Sequence, residues 1–131
     1  MEKEIFLLYY PTDKEIHIWL TPGDETKTVS QNDDGISFQE KIMTLEHQQF
    51  FELYNTLTEV NIKNFLENNS EGDEDGAAFE IAFGGITDKV HFELQVHKEN
   101  MEKRKVKKLC ETVKKILEIA ETDKVEYEND F

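Results

Sequence analysis

The chain is poor in the features that mark stapled, exported or membrane-embedded proteins. Its 131 residues include one cysteine, so no disulfide can form within the chain. The apolar run Ile5–Tyr10 is shorter than the about seven to fifteen residues of a secretory signal and follows an acidic start. It is also far below the ~18 apolar residues of a membrane helix. We therefore expect a soluble, cytoplasmic protein without membrane contact.

Positive charge is scarce as well. Fifteen Lys and Arg stand against 29 Asp and Glu, which gives a net charge of −14. The segment Lys98–Lys115 holds eight basic and three acidic residues, a net of +5, so the rest of the chain carries −19. Nucleic-acid phosphates are repelled by such a total, whereas a basic protein is attracted. The composition thus argues against nucleic acid and favours a basic protein partner.

No catalytic, cofactor or metal motif stands out. A metal site can be drawn from His17, His91 and Glu93, which fall on the polar parity of their predicted strands. The same alternation is what a solvated sheet face needs, and no second ligand pair stands at a recognised metal spacing. Cys110 falls within an apolar helix stripe, as a core cysteine does. We expect no catalytic residue, no cofactor, no metal and no enzymatic activity.

The first half of the chain predicts a hairpin, a further strand and a helix. Alternating β-branched and aromatic residues from Glu4 to Leu20 surround a turn at Pro11–Lys14. In the returning strand, the side chains of Ile16, Ile18 and Leu20 face in. Those of His17 and Trp19 face out. Asp24–Gly35 is polar and predicts a loop. A third strand then carries Ile36, Phe38 and Ile42 on one parity. Thr44 is the expected N-cap of a helix from Leu45 to Val60.

The second half predicts a long acidic connection, Asn61–Gly76, followed by another hairpin and another helix. The hairpin strands are Ala77–Phe83 and Lys89–Val96. The helix Met101–Glu121 has an apolar stripe at spacings of three and four. Its members are Val106, Leu109, Cys110, Val113, Ile116, Leu117 and Ala120. Residues 122–131 are expected to form an acidic tail that can fray.

The predicted order is ββ-β-α-ββ-α. Strands and helices do not alternate one for one, which argues against a parallel α/β fold. We expect a single α+β domain over residues 1–131. It contains one antiparallel sheet of about five strands, with both helices packed on one face.

Two surfaces are candidates for protein binding. The first is a set of loop carboxylates, namely Asp24, Glu25, Asp33, Asp34, Glu71, Asp73, Glu74 and Asp75. The second is the sheet face that the helices leave uncovered, where one parity of Ile5–Tyr10 is joined by Trp19. Exposed aromatic patches beside charge mark association sites. The alternative is that the first strand is central and a loop or the tail covers this face.

This plan resembles the small acidic immunity proteins of bacterial toxin systems. The resemblance lies in the short acidic α+β domain and in acidic loops such as Glu71–Asp75, and it carries over no individual residue. It implies a cytoplasmic inhibitor that binds and neutralises a basic toxin, often a nuclease, by covering its substrate site.

A second resemblance is to secretion chaperones of the type III class, which bind an extended segment as dimers. Ile36–Val60 and Ala77–Glu121 match their order of strands and helices, but those chaperones begin with a helix where Glu4–Tyr10 predicts a strand. Whether the chain is a monomer or a homodimer stays open.

Overall fold

The computed structural model describes residues 3–11, 14–59, 78–85, 90–95 and 107–128, with 90–95 and 107 described by their backbone alone. Within these ranges the elements follow the order ββββαββα. The strands are β1 Glu4–Tyr10, β2 Glu15–Gly23, β3 Lys27–Asp33, β4 Phe38–Glu46, β5 Ala78–Gly84 and β6 Val90–Gln95. The helices are α1 His47–Thr58 and α2 Lys107–Ile119, followed by a 3₁₀ turn, Lys124–Glu126.

All six strands form one sheet in the order β3-β4-β2-β1-β5-β6. The first hairpin is confirmed, since β1 and β2 pair antiparallel with Phe6 opposite Trp19 and Leu7 opposite Ile18. The hairpin of β5 and β6 is confirmed as well. The α+β class, with one mostly antiparallel sheet and two helices, is therefore as the sequence predicts.

The sheet differs from the prediction in one added strand and one parallel pair. Asp24–Gly35 is not a loop throughout, because β3 lies within it and pairs antiparallel with β4 at the edge of the sheet. The β3–β4 hairpin folds β4 back between β3 and β2. As a result, β4 runs parallel to β2, with His17 opposite Glu40 and Trp19 opposite Ile42.

The first helix begins two residues later than predicted. Thr44 is still in β4, where its hydroxyl donates to the Glu25 carbonyl, so it is not the N-cap. Glu46 occupies the N-cap position without a side-chain cap, and its backbone N–H donates to the Thr26 hydroxyl instead. Thr26, in the loop after β2, thus accepts one backbone N–H group at the start of α1, which has no local side-chain cap.

The core lies between one face of the sheet and both helices. From the sheet it contains Ile5, Leu7, Tyr9, Ile16, Ile18, Leu20, Met43, Leu45, Phe79, Ile81 and Phe83. From the helices it contains Phe50, Leu53, Leu57, Leu109, Cys110, Val113, Ile116, Leu117 and Ala120. The predicted apolar stripe of α2 is confirmed from Leu109 to Ala120, the part that the structure describes. Burial raises the pKa of the Cys110 thiol to about 12, as befits a core cysteine without nucleophilic character.

The segment after α2 packs on the domain as far as residue 128. Tyr127 is 4% exposed and belongs to the core, and the Tyr9 hydroxyl donates to the Glu126 carbonyl at 3.1 Å. Lys14 forms an ion pair with the Glu126 carboxylate at 3.4 Å. The expected fraying therefore does not apply to residues 122–128, because a buried aromatic ring and two long-range contacts hold them.

Candidate docking face

The sheet face opposite the helices, called the open face from here on, carries aromatic and aliphatic side chains. Strand alternation places Ile5, Leu7 and Tyr9 in the core, so Phe6, Leu8 and Tyr10 lie on the open face. The strand registers place further side chains on the same face, namely those of His17 and Trp19 on β2 and of Phe38 and Ile42 on β4. Each of these side chains is half-buried. Both described helices pack on the other face.

The aromatic rings of the open face form a continuous row across three strands. The rings of Trp19 and Phe6 have centroids 4.9 Å apart. Phe6 meets His17 edge-on at 6.1 Å, and His17 meets Phe38 edge-on at 5.0 Å. Rings that support one another in this way form a firm surface, and aromatic residues of this kind anchor protein interfaces.

Carboxylates surround this row of rings. The registers of β1, β2, β4 and β5 place Glu4, Glu15, Glu40 and Glu80 at open-face positions. The one basic residue of these four strands is Lys41, which lies on the covered face and donates to the Ala120 carbonyl. The described part of the open face is therefore aromatic at its centre and carries mainly carboxylates around it, with Lys27 of β3 as one positive charge at the sheet edge.

Two of these carboxylates are held by neighbouring side chains. The indole Nε1–H of Trp19 donates to Glu4 Oε2 at 3.1 Å, which fixes both side chains. The side-chain amide of Asn32, on β3, donates to Glu40 Oε1 at 3.1 Å. Glu15 is more open, with its side chain 55% exposed.

His17 belongs to the row of rings on the open face, and its imidazole is incompletely satisfied. Its Nε2 atom is buried and has no hydrogen-bond partner among the described residues. Glu15 Oε2 lies 3.7 Å from that nitrogen, which is beyond hydrogen-bonding distance. Glu40 is in register with His17 on the neighbouring strand. The imidazole is thus placed between two carboxylate-bearing positions.

The predicted acidic residues do not form one patch. Asp24 and Glu25 lie exposed between β2 and β3, and Asp33 and Asp34 lie at the other end of β3. A seven-residue strand spans about 20 Å, so the two pairs are well separated. Glu71, Asp73, Glu74 and Asp75 lie outside the described residues.

Asp33 and Asp34 organise their own turn. Asp34 Oδ1 accepts the backbone N–H groups of Ile36, Ser37 and Phe38 at 2.7–2.9 Å. These bonds, led by that from Ile36, hold the pKa of the Asp34 carboxyl well below its usual range. The Asp34 carboxylate is therefore already engaged within the turn, which leaves it less hydrogen-bonding capacity for a partner.

Of the residues chosen from sequence, Trp19 lies on the open face. His17 was predicted to share the outward parity of Trp19, whereas sequence reasoning did not connect Glu15, Phe38 and Glu40 with them. The parity of Phe38 was visible in the sequence, but its proximity to His17 depends on the parallel pairing of β2 and β4. The predicted grouping of His17 with His91 and Glu93 involves β6, whose side chains lie outside the described residues.

Within the described ranges, no three His, Cys, Asp or Glu side chains are placed to hold a metal ion. No described helix has both the length and the apolar character needed to cross a membrane. Comparisons with protein-family models, with curated proteins and with solved structures found no match to this chain.

Proposed function

We propose that this protein is a non-catalytic binding domain of the immunity type, which binds a basic protein through its open face and thereby neutralises it. The observation that supports this most is the row of half-buried rings bordered by carboxylates. Such a surface combines apolar anchors with a rim in which negative charge predominates. The net charge of −14 has the same sign as these carboxylates.

The two parts of this surface have different effects on binding. Charge at the rim speeds the encounter with a basic partner and makes it sensitive to salt. Anchors at the centre slow dissociation, since they bury apolar area that would otherwise return to water. A protein that covers the substrate site of a basic enzyme needs both a fast encounter and a slow release.

The test is binding to the basic protein encoded by the reading frame next to this gene, together with neutralisation of its effect on growth in co-expression. We expect the association rate to fall at least tenfold between 50 and 300 mM NaCl. Trp19→Ala should raise the dissociation rate by tenfold or more and abolish protection. Phe51→Ala, an exposed ring on α1, serves as the control and should change neither rate.

A neighbouring product that does not bind, or that binds equally well to the Trp19→Ala variant, would contradict the proposal. The dimeric secretion chaperone is the second candidate that the sequence suggests. The structure offers it no specific support, because Glu4–Tyr10 is a strand inside the sheet and not the helix that the resemblance to those chaperones implies.

A further inference from the structure

Four side chains form a corner at one end of the open face. Glu15 and His17 lie on β2, and Phe38 and Glu40 lie beside them on β4, with Glu15 opposite Phe38 and His17 opposite Glu40. The two rings thus occupy one diagonal and the two carboxylates the other. From strand spacing and rise, the Cα atoms of Glu15 and Glu40 are about 8 Å apart.

The rings of this corner lie between the carboxylates. His17 and Phe38 meet at 5.0 Å with their planes at 71°, so they form an edge-on pair rather than a parallel stack. The side-chain amide of Asn32 donates to one oxygen of Glu40, and the Glu15 carboxylate has one described side-chain contact, at 3.7 Å, with His17. The described contacts therefore leave hydrogen-bonding capacity on both carboxylates.

A guanidinium group matches this arrangement better than other cations do. It is planar, it stacks on aromatic rings, and its N–H donors point along separate edges of the plane. One group can therefore stack on the face of one ring, beside the edge of the other, and donate to a carboxylate on each side. An ammonium group has no plane to stack and acts as a strongly hydrated point charge.

We infer that the corner formed by Glu15, His17, Phe38 and Glu40 is a subsite for an arginine side chain of the basic partner. This inference rests on the proposed function and adds to it the side chain that the open face recognises. Trp19 and Phe6, further along the row of rings, would then contact the apolar groups that follow the arginine in the partner.

The experiment titrates the labelled protein with three blocked peptides, Ac-GGRGG-NH2 and its lysine and citrulline counterparts, followed by two-dimensional NMR. Citrulline has nearly the shape of arginine but no charge. We expect the arginine peptide to shift the amide signals of Glu15, His17, Phe38 and Glu40. The lysine peptide should bind about threefold more weakly and the citrulline peptide about tenfold more weakly.

Variants of the carboxylates separate the corner from the general negative field. Glu15→Gln and Glu40→Gln should each weaken the arginine peptide about threefold. Glu118→Gln removes the same charge from the exposed side of α2 and should leave the affinity unchanged. The spectrum of each variant shows directly that the fold is kept.

The outcomes separate the inference from the proposed function. Equal binding of arginine and citrulline, or shifts spread over the acidic loops instead of the corner, would overturn the arginine subsite. If the basic partner still binds in a Trp19-dependent manner, the proposed function stands without this subsite. If neither the peptide nor the partner binds, both are wrong.

Discussion

At the residue scale, Lys41 combines a buried charge with a structural contact. It is 9% exposed, and its ammonium group donates to the carbonyl of Ala120, just past the end of α2. The carbonyl groups at the end of a helix have no partner within the helix and carry its negative pole. Lys41 satisfies one of them and joins the centre of β4 to the C-terminal end of α2.

Replacing Lys41 by methionine tests this contact with little change in side-chain length. The Ala120 carbonyl then loses its described side-chain donor, at a cost of about 1–3 kcal/mol. Removing the ammonium group also relieves a desolvation cost, which acts in the opposite direction. We expect the unpaired carbonyl to dominate and the free energy of unfolding, measured in urea, to fall.

The control for this change is Lys115→Met, on the exposed side of α2, which should shift the unfolding midpoint little. If Lys41→Met were as stable as the parent protein or more so, desolvation of the ammonium group would outweigh its hydrogen bond.

At the element scale, the β3–β4 hairpin shapes the candidate site, because it sets β4 beside β2. Its turn is built by Asp34, whose Oδ1 accepts three successive backbone N–H groups and whose Oδ2 accepts the Ser37 hydroxyl. Gly35 takes a positive φ of 76°, a conformation that glycine adopts without strain. The turn is therefore specified locally, although its consequence for the sheet is long-range.

The lowered pKa of Asp34 predicts how the turn responds to acid. A carboxyl whose pKa is lower in the folded state stabilises that state above its unfolded pKa. This contribution disappears only as the pH falls through the lower, folded value. We therefore expect the amide signals of Ile36, Ser37 and Phe38 to titrate together in NMR, with a midpoint well below the ordinary aspartate value of 3.8.

Two substitutions of Asp34 complete this test. Asp34→Asn keeps an acceptor oxygen and should preserve the three amide shifts without the titration. Asp34→Ala removes the acceptor and should disorder the turn. A midpoint at or above the ordinary value would show that the backbone bonds do not hold the charged form.

The β3–β4 hairpin also separates the features that could be predicted from sequence from those that could not. Alternation in β1 and β2 predicts the open-face position of Trp19, and the spacing of Leu109, Val113 and Ile116 predicts the inner side of α2. Lys27–Asp33 gives no such signal, because an edge strand exposed throughout has no apolar parity. The corner of Glu15, His17, Phe38 and Glu40 depends on the parallel register of β2 and β4, which joins segments distant in sequence.

At the scale of the whole molecule, the two faces of the sheet differ in their side chains and in what packs against them. The covered face holds the core, both helices and the segment up to residue 128. The open face carries rings and carboxylates that the core does not need. The excess of acidic residues destabilises the compact state, because the negative charges of a molecule with a net charge of −14 repel one another.

This repulsion predicts that salt acts in opposite directions on folding and on partner binding. Raising NaCl from 10 to 150 mM shortens the screening length from about 30 Å to about 8 Å. The free energy of unfolding should then rise by roughly 1 kcal/mol, because screening removes more repulsion than it weakens surface ion pairs. Over the same range, association with the proposed basic partner should slow, because there screening removes attraction.

Urea unfolding at the two salt concentrations measures the first effect, and stopped-flow association measures the second. The double variant Asp24→Asn, Glu25→Gln reduces the magnitude of the net charge from 14 to 12 by changes at exposed positions away from the core. The salt dependence of its stability should therefore be smaller. Stability that falls with salt would show the reverse balance. Ion pairs such as Lys108–Glu59 and Lys14–Glu126 would then outweigh the repulsion among the 29 acidic residues.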